Sequence, residues 1–189
     1  MGKRLATAFG RRASSGFDSH HSDLMEEYMS SRVIKAPTAW GIQNIEEVPV
    51  FLAGSIEMGS AEDWQSKIAD MLLEAQDYSF IVLNPRRDDW DNSWEQEYKN
   101  KQFHEQVAWE LDAQERSKYI LMHFDPTTKS PITLLELGLF GRTKKIFVSC
   151  PRKFYRRGNV EIVCRKYGIN IYNSLEEMAM GFGKHLVLE

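Results

Sequence analysis

From Val48 onward the chain alternates short apolar runs with longer amphipathic stretches. The runs are VPVFLA (48–53), FIVL (80–83), YILMHF (119–124), KIFVSC (145–150) and INIY (169–172), bounded by Gly, Pro, Asn or Asp. Short runs rich in β-branched and aromatic residues between turn formers read as buried strands. Between them, residues 61–75 place Trp64, Ile68, Leu72 and Ala75 at helical spacing, and 102–116, 132–141 and 160–167 read as further helices. Ser174 with Glu177 three residues on is a capping box that opens a last helix over 174–185. Five strands alternating with five helices predict an α/β domain with a mostly parallel sheet, covered on both faces and joined by right-handed crossovers. Residues 1–45 lack this periodicity and read as an N-terminal tail or arm, leaving 46–189 as the domain.

Composition narrows the class. With 42% hydrophobic and 27% charged residues, the 189-residue chain has enough apolar material for one core and is not a disordered polyelectrolyte. The net charge is −3, split as +2 over residues 1–40 and −5 over the rest. The body therefore has no general attraction for nucleic acid or anionic lipid, so neither is expected as a partner. Cys150 and Cys164 are too few for a disulfide framework and lack metal-ligand spacing. No stretch approaches the ~20 apolar residues that span a bilayer. A cytoplasmic protein is expected. Lys3, Arg4, Arg11 and Arg12 beside Ser14 and Ser15, with no acid before Asp18, leave an organellar presequence as the alternative.

In a sheet of this kind ligands bind beyond the carboxyl ends of the strands. That rule selects Ala53-Gly54-Ser55, Asn84-Pro85-Arg86, the segment from Asp125 to Ser130, and Cys150-Pro151. Gly54 to Gly59 supplies neither the dinucleotide fingerprint nor the Walker lysine, which argues against an NAD enzyme or an NTPase. The segment SPITLLELGLF (130–140) carries more. Ser130 fits a helix N-cap and Pro131 the first helical position. Glu136 is the only charged residue between Lys129 and Arg142, and it shares a face with Ile132 and Phe140. An unpaired buried carboxylate costs several kcal/mol as an order of magnitude, so its presence demands a reason: catalysis, a structural ion pair or a rim position. The free N–H groups of the same helix start, beside the Ser130 hydroxyl, form a candidate anion site.

Leu52-Ala53-Gly54-Ser55, Asn84-Pro85-Arg86, Trp109-Glu110-Leu111 and Glu136-Leu137-Gly138 together resemble the nucleoside 2-deoxyribosyltransferase superfamily, in particular its deoxyribosyltransferase-like branch. The resemblance spans about Val48 to Tyr172. It implies a flavodoxin-like, Rossmann-like three-layer sandwich and chemistry at an N-glycosidic bond. It also implies that Glu136 attacks the anomeric carbon to give a glycosyl-enzyme intermediate, resolved by water or by a second base. The second acid falls at Glu110 or Asp112. These lie two residues apart, about 200° around a helix, so both cannot face the sugar. Free-nucleoside transferases of the superfamily carry an acid six residues before the nucleophile. Ser130 stands there, resembling the 5′-monophosphate N-glycosidases, because a serine at a helix start accepts a phosphate that an aspartate would repel.

The implied partner is a small-molecule nucleoside or nucleotide, the implied assembly a homo-oligomer, and no cofactor is called for. Gly54 and Ser55 would floor the sugar, with Asn84 and Asp125 beside them at the strand ends. Arg86, Asp89, Trp90 and Trp94 would meet base or phosphate, although 84–91 also reads as a solvated loop pairing its own charges. Seven basic residues from Arg142 to Arg157, interleaved with Phe154 and Tyr155, read as a solvated edge or subunit contact before a nucleic-acid face. The five histidines show no metal spacing, so no metal site is expected. A catalytically silent nucleotide-binding module and a ribosyl-cleaving toxin or defence enzyme remain open as alternatives.

Overall fold

The computed structural model describes residues 31–56, 62–75, 77–91 and 93–188. The basic N-terminal segment, including the His20-His21 pair, lies outside them. Six strands form one sheet: β1 (Arg32–Lys35), β2 (Glu47–Gly54), β3 (Ser79–Asn84), β4 (Tyr119–His123), β5 (Ile146–Ser149) and β6 (Asn170–Tyr172). The helices between them are α1 (Trp64–Leu73), α2 (Lys101–Arg116), α3 (Pro131–Phe140), α4 (Arg157–Tyr167) and α5 (Leu175–Leu188). Strand order is β1-β3-β2-β4-β5-β6, and every pairing is parallel. The expected flavodoxin-like α/β sandwich is therefore present, with one strand more than the pattern predicted.

The extra strand lies ahead of residue 46 in the chain. β1 pairs with β3 from Arg32↔Ile81 to Lys35↔Asn84, so residues 32–45 belong to the folded body. The Arg32 guanidinium pairs with Glu47 and donates to the Gly41 carbonyl, while Glu47 also accepts from the Gln43 N–H. β1 escaped the sequence reading because Arg-Val-Ile-Lys is a four-residue edge strand with no buried residue, so it lacks the continuous apolar run that marks its neighbours.

The buried strands divide their side chains between two cores by simple alternation. Val50 and Leu52 of β2 face a layer built by Trp64, Ile68 and Leu72 of α1 with Met178 and Phe182 of α5. Phe51 and Ala53 face the opposite layer, with Ala113 of α2, Leu137 and Phe140 of α3, and Val160 and Cys164 of α4. The chain leaves β2 toward β3 on one side, then crosses back to β4 on the other. The crevice where ligands bind in such sheets therefore opens between the carboxyl ends of β2 and β4.

Two local devices fix that region. Gly54 ends β2 at φ +155°, and a Cβ there would lie 2.4 Å from the His123 carbonyl oxygen and 2.7 Å from the Trp64 ring, so only glycine fits. Lys145, just before β5, donates to the Gln114, Glu115 and Ser117 carbonyls at 2.7, 2.9 and 3.2 Å. An ammonium at a helix C-terminus satisfies orphan carbonyls and complements the dipole, which holds the end of α2 against the sheet.

Candidate active site

Glu136 lies in the second turn of α3 and is only 7% exposed. Its Oε1 accepts from Nε2 of the wholly buried Gln114 at 2.6 Å. Burial pushes its carboxyl up to about 8, and the charge of Glu110 adds to the rise. Glu110, on the same face of α2 four residues before Gln114, accepts from Gln106 Nε2 at 2.7 Å, and Gln106 also donates to the Pro85 carbonyl at 2.8 Å. Burial raises the Glu110 carboxyl to about 7. No cation pairs with either acid among the described residues. This is two carboxyl groups within electrostatic reach of each other, each held by one carboxamide, Glu136 buried and Glu110 half-buried.

Asp112 is not part of this arrangement. It sits on the outer face of α2, exposed, in an i,i+4 ion pair with Arg116 at 2.8 Å. The helical phase that separates residues 110 and 112 thus leaves Glu110 as the acid brought together with Glu136.

Three hydroxyls converge between the end of β2 and the start of α3, those of Ser55 and Ser130 buried. Ser55 Oγ and Ser130 Oγ share a short hydrogen bond, Thr128 Oγ1 lies 2.7 Å from Ser130 Oγ and donates to Ser55 Oγ at 3.0 Å, and the Asp125 N–H donates to Ser55 Oγ at 3.0 Å. Ser130 was expected to cap α3. It occupies the cap position at φ 47°, ψ 50° but its hydroxyl makes no capping bond. The left-handed backbone turns it toward Ser55 and Thr128 instead. The first-turn N–H groups of Ile132 and Thr133 have no intrahelical acceptors, as in any helix start. The Asp125 carboxylate is held low despite its burial by bonds from the Thr127 hydroxyl and N–H, so it is already occupied.

The loop after β3 is largely engaged with its own neighbours. Asn84 Oδ1 accepts from the Arg86 N–H at 2.9 Å, and the Arg86 guanidinium reaches Gln65 Oε1 at 3.3 Å, the Glu62 carbonyl at 3.3 Å and Asp63 at 3.4 Å. Asp89 forms a two-pronged pair with Arg87 at 2.8 and 2.9 Å. Trp90 and Trp94 pack together with ring centroids 5.2 Å apart, and Arg87 stacks over Trp94 at 5.0 Å. The tryptophans remain half-buried, while Arg86 and Asp89 are committed to protein partners. His123 faces the other layer. Its Nδ1 meets Ser149 Oγ at 3.0 Å, and burial depresses it to about 4, so it is neutral.

Gln106, Gln114 and Thr128 were missed by sequence reasoning. The signal for the first two was legible: Gln106, Glu110 and Gln114 recur every four residues on the face that also buries Ala113, a polar stripe where an apolar one is the rule. Among the described residues no group of three His, Cys, Asp or Glu is placed to hold a metal.

A parallel, doubly wound sheet whose strand order reverses between β2 and β4 is the architecture of many small-molecule α/β proteins. Residues 47–154, more than half of the chain, match the family described as Nucleoside 2-deoxyribosyltransferase like, and the chain belongs to that family of glycosyl-transfer and glycosyl-cleavage domains. No curated protein matches the sequence.

Proposed function

We propose that the protein cleaves the N-glycosidic bond of a nucleoside or its 5′-monophosphate by a retaining mechanism. The observation that carries this reading is the Glu110–Glu136 pair, a half-buried and a buried carboxyl on the α2–α3 side of the sheet, both with raised pKa values and with the charge of Glu110 acting on Glu136. Glu136 holds its proton more tightly than Glu110, so the reacting arrangement is the less populated one in which Glu136 is ionised and Glu110 protonated; from it the Glu136 carboxylate attacks C1′ while the C1′–N bond breaks. Glu110, as carboxylic acid, gives its proton to the departing base. Water, deprotonated by Glu110, then attacks C1′ and releases Glu136. A second base in place of that water would make the reaction a transfer.

The 5′ end of the sugar falls on the Ser55–Thr128–Ser130 hydroxyls. An uncharged hydroxyl trio beside the first-turn N–H groups of α3 favours a phosphate over an aspartate-held 5′-hydroxyl. Tyr155 Oη donates to the Lys129 carbonyl at 3.2 Å, which brings the basic 152–157 stretch against the same loop and supports this preference. Trp90 and Trp94 supply aromatic faces for the base. On α3 itself Ile132, Leu135 and Leu139 are more than half exposed in a continuous stripe, and we assign this face to a second copy of the chain, in keeping with the homo-oligomer that the family resemblance implies. The test is release of free base from a panel of nucleosides and 5′-monophosphates by wild type and Glu136→Ala. Release that depends on Glu136 supports the reading. No release from any substrate, or equal release by the variant, overturns it.

A further inference from the structure

Gln114 is the most buried polar side chain near the acid pair, and its environment does not explain it as a packing residue. It is fully buried on α2, its Nε2 makes one hydrogen bond, to Glu136 Oε1 at 2.6 Å, and its Oε1 has no hydrogen-bond partner. A buried carbonyl left without a donor destabilises a fold, and an apolar side chain of the same length would remove that penalty. The bond to Glu136 is what the carboxamide supplies in return. Gln106 likewise leaves its Oε1 without a partner, and its Nε2 donates to the Glu110 carboxyl and to the Pro85 carbonyl. Each acid is therefore held by one carboxamide N–H.

An N–H donor favours the ionised form of the carboxyl it touches. We propose that Gln114 is the positioning residue of Glu136: its N–H fixes that carboxyl in place and favours its ionised form against the opposing effect of burial. This rests on the reading of Glu136 as nucleophile and adds to it the side chain that holds the attacking carboxyl. The groups facing Glu136 are Glu110 from α2, which opposes its ionisation, and Gln114, which favours it. The Lys145 ammonium approaches only the Gln114 backbone carbonyl, at 2.7 Å, and fixes the turn from which the carboxamide projects.

The experiment compares wild type with Gln114→Met, which keeps length and volume but donates nothing. Two quantities are measured: the pH profile of kcat/KM for base release, and the pH titration of the Glu136 side-chain carboxyl by 13C NMR. The rising limb and the carboxyl midpoint should both move to higher pH by about one unit, a tenfold loss of rate at a fixed pH on that limb. Gln114→Glu, which places a third carboxyl in the cluster, should move them further. A variant with reduced kcat and unmoved midpoints shows a structural residue and overturns the proposal. If the wild type releases no base, the nucleophile reading fails, and the carboxyl titration alone still decides whether Gln114 sets the protonation of Glu136.

Discussion

Glu110 and Glu136 differ from ordinary carboxyls because water has been taken from them and no positive charge returned. For both, burial is the largest cause of the raised pKa, and the sign of its effect on stability follows. Between the ordinary value of 4.5 and about 8 the folded protein holds protons on these groups that the unfolded chain has released. Stability therefore falls as pH rises through this window, by about 1.4 kcal/mol per pH unit for each proton retained. Glu136→Gln should flatten part of that slope and raise the unfolding midpoint at pH 8 in denaturant titrations. It should also lower base release by on the order of 10⁴-fold. Glu110→Gln should lower kcat by about 10²–10⁴-fold, the range expected for loss of a general acid. A pair holding one proton gives a bell-shaped rate profile with its maximum between about pH 7 and about pH 8. A profile flat across that interval would exclude this pair as the acid and nucleophile. Ser130→Asp reports on the other end of the substrate: activity on 5′-monophosphates should fall relative to nucleosides. An unchanged ratio would remove the hydroxyl trio from phosphate binding. The burial of Glu136 was readable from its isolation on an apolar helix, and its approach to Glu110 only as one of two choices. The choice needed the packed phase of α2, which turns Asp112 outward to Arg116.

Among the elements, α2 and α3 carry the proposed site and their ends are secured differently. α2 opens with Asn100 accepting from the Phe103 N–H at 2.9 Å and closes on Lys145. Lys145→Met should cost about 1–2 kcal/mol by releasing three C-terminal carbonyls. Because that turn bears Gln114, the loss of stability should be accompanied by a loss of activity, measured at a temperature where the variant is still folded. α3 is unusual in having its charged residue inward and its apolar residues Ile132, Leu135 and Leu139 outward. Leu135→Glu should shift the assembly toward monomer in sedimentation equilibrium. A wild type that is already monomeric at the same concentration would refute the assignment of this face. The helices and central strands were legible because their apolar runs and periodicities are strong. Helix ends moved by a few residues, and the Ser130 hydroxyl went to a tertiary partner that local pattern does not encode.

At the scale of the molecule, the sheet separates two titrating regions. His123 lies in the α1–α5 layer and is neutral because burial depresses it, so stability is lost as pH falls from its ordinary 6.5 toward about 4. The acid pair, on the α2–α3 side, loses stability in the opposite direction. The architecture followed from alternation alone, whereas β1 and the Arg32–Glu47 ion pair did not, since an edge strand of mixed polarity resembles a loop in sequence. Gly54 sits where both layers meet the crevice. A Cβ at this position would strike the backbone of β4, so Gly54→Ala should cost about 1–3 kcal/mol and spread the strands on which the sugar would rest. Under the proposed function the floor beneath the sugar is main chain at this point, and no side chain can be trimmed or enlarged there to change its depth. Redesign for a bulkier or smaller substrate would then work through side chains elsewhere, Trp90 and Trp94 first, while the floor stays as it is.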